Sequence, residues 1–268
     1  MTPAPSLRVS GVEDSQRGAS VKPFFLALLA PDPRSRDVRR DLHDCNGLHR
    51  TIMRLFPDAP APDTAVADTA VGTGGGGARS DFGVLYRLEQ SRDGGLRLLV
   101  QAGTKPDFGR LPNGYEVSPG VCKAVDVTCL GLATGQRLRF RLRANPSRAI
   151  DTKTGPDGKK NNGRRVEVKG EEACQAWLRR KGEQHGFRVI ASRLDAGPPD
   201  PRCGGGKVEG RKAGATITIA SVLFEGVLEV TDGLLLQAAV RGGIGRGKSY
   251  GQGLLSLARV PEECGPGE

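Results

Sequence analysis

His49 stands in the stretch GLHRTIMRLFP (47–57) and is one of three histidines in 268 residues. An imidazole, with an ordinary pKa near about 6.5, can take a proton from a hydroxyl or give one to a leaving oxygen, a contribution of roughly 10²–10⁴ in rate. A lone histidine on the flank of an amphipathic helix is more often an ordinary residue, so chemistry at His49 needs company from elsewhere. Asn46 lies three residues before it. Its amide can donate a hydrogen bond to a phosphate oxygen but cannot exchange a proton at any relevant pH. Arg54, five residues after, is a cation that could offset negative charge developing nearby. His43 and His185 are weaker candidates, His185 as the residue that closes a helix.

A second cluster is GGIGRGKSYGQG (242–253), which contains a literal match to the nucleotide-binding loop G-x-x-x-x-G-K-[ST]. That loop must follow the first strand of a β-α-β unit and open a helix. Here a helical pattern precedes it and a strand pattern follows, so no nucleotide cofactor is expected. The glycines still let backbone approach a ligand and expose N–H donors. Lys248, Ser249, Gly243, Gly245, Gly251 and Gly253 are therefore candidates for contact with a phosphate backbone, Lys248 also for transition-state charge.

The third signal is charge. The chain carries a net +10, and between 137 and 169 eleven Lys or Arg face only Asp151, Asp157 and Glu167. Such focused charge suits a polyanion, because each neutralised phosphate releases counterions. QRLRFRLRANP (136–146) alternates strictly, putting Arg137, Arg139, Arg141 and Arg143 on one face and Leu138, Phe140 and Leu142 on the other. With Arg148, Lys159, Lys160, Arg164 and Arg165, and with Lys207, Arg211 and Lys212 of GGGKVEGRK (204–212), these make a candidate nucleic-acid surface. Aromatics are only 4% of the chain, so few bases can be stacked and a structured RNA read by backbone and shape is favoured.

The elements that position these groups follow from periodicity. Residues 1–20 are expected to be a flexible tail, and FFLALLA (24–30) a buried strand. Residues 36–56 place Val38, Leu42, Cys45, Leu48, Ile52 and Leu55 on one helical face, with a break at 44–47 and Asn46 capping a second short helix. Residues 57–81, rich in Pro, Ala and Gly, are expected to be a disordered insert. A hairpin (82–103, turn SRDG), a short helix near 106–111 and a strand at 124–132 complete the first unit. In the second, strand 136–146 is followed by helix 171–186, strand 187–194, a basic arm, a long strand 216–230, helix 232–242 and a last strand 253–260. The order β-α-β-β-α-β occurs twice. That implies an α+β protein of two tandem ferredoxin-like domains, 21–135 and 136–268, with antiparallel sheets and helices on one face.

No apolar run is long enough to span a membrane, and no cationic, apolar, small-residue leader precedes residue 24, so a cytoplasmic protein without a membrane partner is expected. The six cysteines show no metal-ligand spacing, so free thiols and no metal site are expected.

LHRTIMRLFP, GQRLRFRLRANP, VLFEGVLEV and GIGRGKSYGQGLLSLA, in that order, resemble the CasE family of CRISPR repeat-RNA endoribonucleases, subunits of the type I-E Cascade complex. RLRANP and the glycines at 243, 245, 251 and 253 are the most specific matches, and the resemblance covers roughly 22–260. It implies a metal-independent, cofactor-free cut at the 3′ base of a CRISPR repeat RNA hairpin. The 2′-hydroxyl attacks the adjacent phosphate, leaving a 2′,3′-cyclic phosphate and a 5′-hydroxyl. The enzyme then keeps the mature guide RNA and joins the other Cascade subunits. The family's catalytic histidine falls on His49. Where the family carries a tyrosine three residues earlier, this chain has Asn46. The alternative is a non-catalytic RNA-hairpin-binding subunit of the same superfamily.

Overall fold

The computed structural model describes residues 23–57, 82–91, 93–126, 131–150, 165–195, 199–203 and 206–261. The expected tail, almost all of the 57–81 insert and residues 151–164, including Lys159, Lys160 and Arg164, lie outside them.

The first unit runs β1 (Phe24–Leu29), α1 (Arg36–His43), α2 (Cys45–Met53), β2 (Leu85–Gln90), β3 (Leu96–Ala102), a single 3₁₀ turn at Phe108–Arg110, and β4 (Val121–Val125). Its antiparallel sheet has the order β2-β3-β1-β4. The second runs β5 (Arg137–Ala144), β6 (Ser147–Ala149), β7 (Arg165–Glu167), α3 (Glu171–Gln184), β8 (Phe187–Leu194), β9 (Lys207–Lys212), β10 (Ala215–Ala220), β11 (Val222–Val230), α4 (Gly233–Gly242), a 3₁₀ turn at Lys248–Tyr250, and β12 (Leu255–Arg259). Its main sheet has the order β12-β5-β11-β8. In both, the first strand lies between the third and the fourth, which is the ferredoxin-like arrangement repeated in tandem.

Three expectations need correction. Of the strand expected at 124–132, residues 127–130 lie outside the described residues; the strand that is described, Val121–Val125, begins earlier because β1 pairs Phe24 with Val125 and Leu28 with Val121. The long strand 216–230 is two strands. β10 pairs with β9 alone, as a two-stranded arm, and the chain turns at buried Ser221 before β11 joins the main sheet. The first unit's second helix is reduced to the turn at Phe108–Arg110.

Each unit has its own core. Ala27 and Leu29 of β1 face Leu48, Ile52, Leu55 and Phe56 of the helical segment, with Tyr86, Leu88, Leu98 and Val100 from β2 and β3. Phe24 and Leu26 belong instead to the second unit's core, with Leu138, Phe140, Leu142, Trp177, Phe224, Leu236 and Val240. Strand alternation explains how one strand serves two cores: residues two apart share a face. Polar groups join the units as well. The buried guanidinium of Arg87 donates to the Leu254 carbonyl at 3.2 Å and to Ser256 Oγ at 3.1 Å, and pairs with Glu89 at 2.6 Å. Gln101 Nε2 donates to the Val240 carbonyl at 2.8 Å.

Candidate active site

His49 sits one turn into α2, half-buried, and the start of that helix is gripped from outside it. Asp44, not Asn46, is the N-cap. Its Oδ1 accepts from the Asn46 backbone N–H at 3.1 Å, and the same oxygen accepts from the Arg211 backbone N–H of β9 at 3.1 Å. Asn46 lies inside the helix, and its Nδ2 donates to the Arg211 carbonyl at 2.9 Å. The side chain expected to cap the helix, or to touch phosphate, thus holds the arm instead. A second helix-breaking residue two positions earlier took the cap because its carboxylate accepts from two backbones at once.

The arm can come this close because β9 has glycine at 210. A Cβ there would lie 2.6 Å from Asp44 Oδ1 and 2.7 Å from Cys45 Sγ. Burial pushes the Cys45 thiol up to about 11, with a smaller opposing pull from Arg202, so it packs as a neutral group.

The glycine-rich segment approaches from the other side. It follows α4 and precedes β12, the reverse of a nucleotide-binding loop. Its turn Lys248–Tyr250 is flanked by left-handed Gly247 and Gly251 and packs on α2. The Tyr86 hydroxyl donates to the Ser249 carbonyl at 2.8 Å, fixing the turn to the first unit. Gly251 has no room for a Cβ, which would meet Arg202 Nη2 at 2.7 Å and the Tyr86 ring at 2.9 Å. Below it, Arg202 and Asp200 form a fully buried pair at 2.6 Å. Burial works against the guanidinium's charge, but Asp200 beside it outweighs that and leaves its pKa raised. The backbone N–H groups of Gly243, Gly251 and Gly253 donate to the carbonyls of Ala239, Lys248 and Arg143. These glycines therefore serve bends and close packing, and the expected outward row of N–H donors is smaller than their number suggested.

The turn brings Tyr250 against His49. Their ring centroids are 6.5 Å apart with planes at 66°, an edge-on contact. Burial, reinforced by Cys45 and Asp44, raises the Tyr250 phenol above its ordinary range, so it holds its proton at neutral pH. The sequence reading missed Tyr250. Only its place between the loop's glycines marks it, and 200-odd residues separate it from His49.

The other expected site residues divide. Arg211 and Lys212 are exposed on the arm, and Lys207 lies 3.7 Å from Glu167. Lys248 and Ser249 are half-buried in the turn, and burial, with the charges of Lys181 and Lys248, lowers the His185 imidazole pKa. Gly243 and Gly245 pack on Leu85 and Trp177. Arg54 is exposed beyond the end of α2, about 140° around the helix from His49, so it does not share the histidine's face.

The arginine face of β5 is not one surface. Arg137 and Arg139 are exposed, Arg137 being 3.8 Å from Glu229. Arg141 pairs with Glu225 and with Glu89 of the first unit, and Arg143 is 3% exposed. Arg141 ties the units together through Glu89, and Arg143 is withdrawn from solvent. Arg148 and Arg165 line a cleft with Asn145, Arg180, Lys181 and Arg246. The last three were not foreseen as a group, since they are scattered over α3 and the loop.

Known proteins resemble this chain over most of its length. The family described as "CRISPR associated protein" matches residues 24–259. The CRISPR-associated endoribonuclease Cse3 of Thermus thermophilus is 36% identical over 248 residues, spanning 88% of this chain and all of that protein. The CRISPR system Cascade subunit CasE of Escherichia coli is 33% identical over 229 residues, spanning 84% of this chain and 95% of that one. Thermus thermophilus Cse3 bound to an RNA representing a pre-cleavage complex superposes with a TM-score of 0.64 at 30% identity, over 88% of this chain and 99% of that one. A match over residues 24–259, with both ferredoxin-like units included, places the protein by descent: it belongs to the CasE family of CRISPR-associated proteins.

Proposed function

We propose that this chain is a hairpin-specific endoribonuclease that processes CRISPR repeat RNA and remains on the guide RNA as a Cascade subunit. The observation that carries the reading is the meeting of three distant segments at His49: the α2 N-terminus, the basic arm at Gly210–Lys212 and the turn Lys248–Tyr250. One supplies an imidazole, one supplies cations for phosphates, and one supplies a rigid polar edge. Together they suit a reaction in which the RNA provides its own nucleophile. His49 takes the 2′-hydroxyl proton, the 2′-oxygen attacks the adjacent phosphorus, and the chain ends as a 2′,3′-cyclic phosphate beside a 5′-hydroxyl fragment. Exposed Arg211 and Lys212, with the cleft of Arg148, Arg165, Arg180 and Arg246, suit the phosphates of a duplex stem. Among the described residues no helix is long and apolar enough to cross a membrane. Free thiols at Cys45, Cys122, Cys174 and Cys203 suit the cytoplasm.

The test is single-turnover cleavage of a repeat hairpin with and without excess EDTA. Cleavage is expected to persist in EDTA, to stop when the scissile ribose is 2′-deoxy, and to stop in His49→Ala while hairpin affinity stays within a few-fold. A 5′-phosphate on the product, or native-rate cutting by His49→Ala, would refute the mechanism.

A further inference from the structure

General acid–base cleavage needs two groups, one to remove a proton and one to deliver a proton to the leaving oxygen. Only the first has been assigned. Asn46 cannot be the second, because an amide does not exchange its protons and Nδ2 is engaged with the Arg211 carbonyl. The chain has three tyrosines. Two are fully buried: Tyr86 donates to Ser249, and Tyr115 donates to Asp41 Oδ2 at 3.0 Å. The third, Tyr250, is half-exposed and edge-on to His49.

We propose that the Tyr250 hydroxyl is the second proton-transfer group, delivering its proton to the leaving 5′-oxygen while His49 takes the proton of the attacking 2′-hydroxyl. The inference rests on the reading of His49 above. The geometry supports it in three ways. The two rings stand edge-on with centroids 6.5 Å apart, which brings a phenol and an imidazole to the same site. The turn that carries Tyr250 is held between two left-handed glycines and tied to Tyr86, so the backbone that presents the phenol is fixed by the fold. Its raised pKa keeps the proton in place until an alkoxide, far more basic than a phenolate, develops beside it. The atoms balance. The O2′–H proton passes to the imidazole, the O2′–P bond forms, the P–O5′ bond breaks, and O5′ receives the phenolic proton. Proton exchange through water then returns imidazolium and phenolate to their starting forms.

Tyr250→Phe keeps the ring edge against His49 and removes only the hydroxyl. In single-turnover cleavage it should cut about 10²-fold more slowly, with hairpin affinity unchanged within about twofold. The same protein is then given an RNA with a 5′-bridging sulfur at the scissile phosphate, whose thiolate leaves without a proton. On that substrate Tyr250→Phe and the native enzyme should cut at nearly the same rate, which also shows that the variant is folded. Native-rate cutting of ordinary RNA by Tyr250→Phe would overturn the proposal. So would an equal deficit on both substrates, or a deficit explained by weaker binding. His49→Ala run alongside separates the two levels: if it cuts normally the site itself is misread, whatever Tyr250 does.

Discussion

Gly210→Ala tests whether the arm is clamped to the start of the helix that carries His49. The added Cβ would sit 2.6 Å from Asp44 Oδ1, 2.7 Å from Cys45 Sγ and 3.0 Å from the Cys45 backbone nitrogen. Two of these contacts are with atoms that cannot swing away, since Cys45 is buried and its nitrogen opens the helix. The chain can compress or release the arm, and it will take the cheaper route. Release forfeits two hydrogen bonds, Asn46 Nδ2 to the Arg211 carbonyl and the Arg211 N–H to Asp44. A neutral bond contributes about 1 kcal/mol and one to a carboxylate about 1.5–3 kcal/mol, less where water reaches them. The cost is therefore capped near ~2–3 kcal/mol, a fall in Tm of about 4–12 °C for a chain of this size. Thermal melting reads that cap, and amide hydrogen exchange at Arg211 should rise from protected to loop-like. An unchanged Arg211 amide with unchanged melting would refute the clamp. A loss well above the cap would mean that the arm is part of the global fold.

Asp200→Ala should cost about 3–5 kcal/mol, because it leaves the Arg202 guanidinium buried without its carboxylate; chemical denaturation measures this. Charge reversal at Arg211 and Lys212 should weaken hairpin binding and flatten the dependence of log K on log salt by about one unit per lost phosphate contact. Lys248→Ala should weaken RNA binding or cleavage, whereas calorimetry should detect no ATP binding to the native protein despite the G-G-I-G-R-G-K-S match.

Local pattern made much of this molecule legible. Leu138, Phe140 and Leu142 announced their inward face by alternation alone, and the two β-α-β-β-α-β runs gave the tandem fold. Alternation could not say what covers the other face. Arg141 and Arg143 look like solvent-facing residues of a half-buried strand, yet Arg143 is buried and Arg141 meets Glu89 of the first unit. A polar face against water and a polar face against a second domain have the same sequence. The helix break at 44–47 was visible, but two capping residues stood there, and only the position of β9 decides between Asp44 and Asn46. Tyr250 was hidden for a similar reason, since its partnership with His49 is set by packing of α2 on the turn and leaves no local periodicity.

That pairing also has a temporal consequence. The turn with Tyr250 leaves the ribosome about 200 residues after His49, roughly 10–40 s later at ordinary rates of synthesis. The first unit alone holds the imidazole without the turn, without the arm and without the cations they carry. Contacts of such long sequence separation close late in folding. On the reading proposed above, the site is therefore incomplete until the turn has been made and the second unit docks on the first.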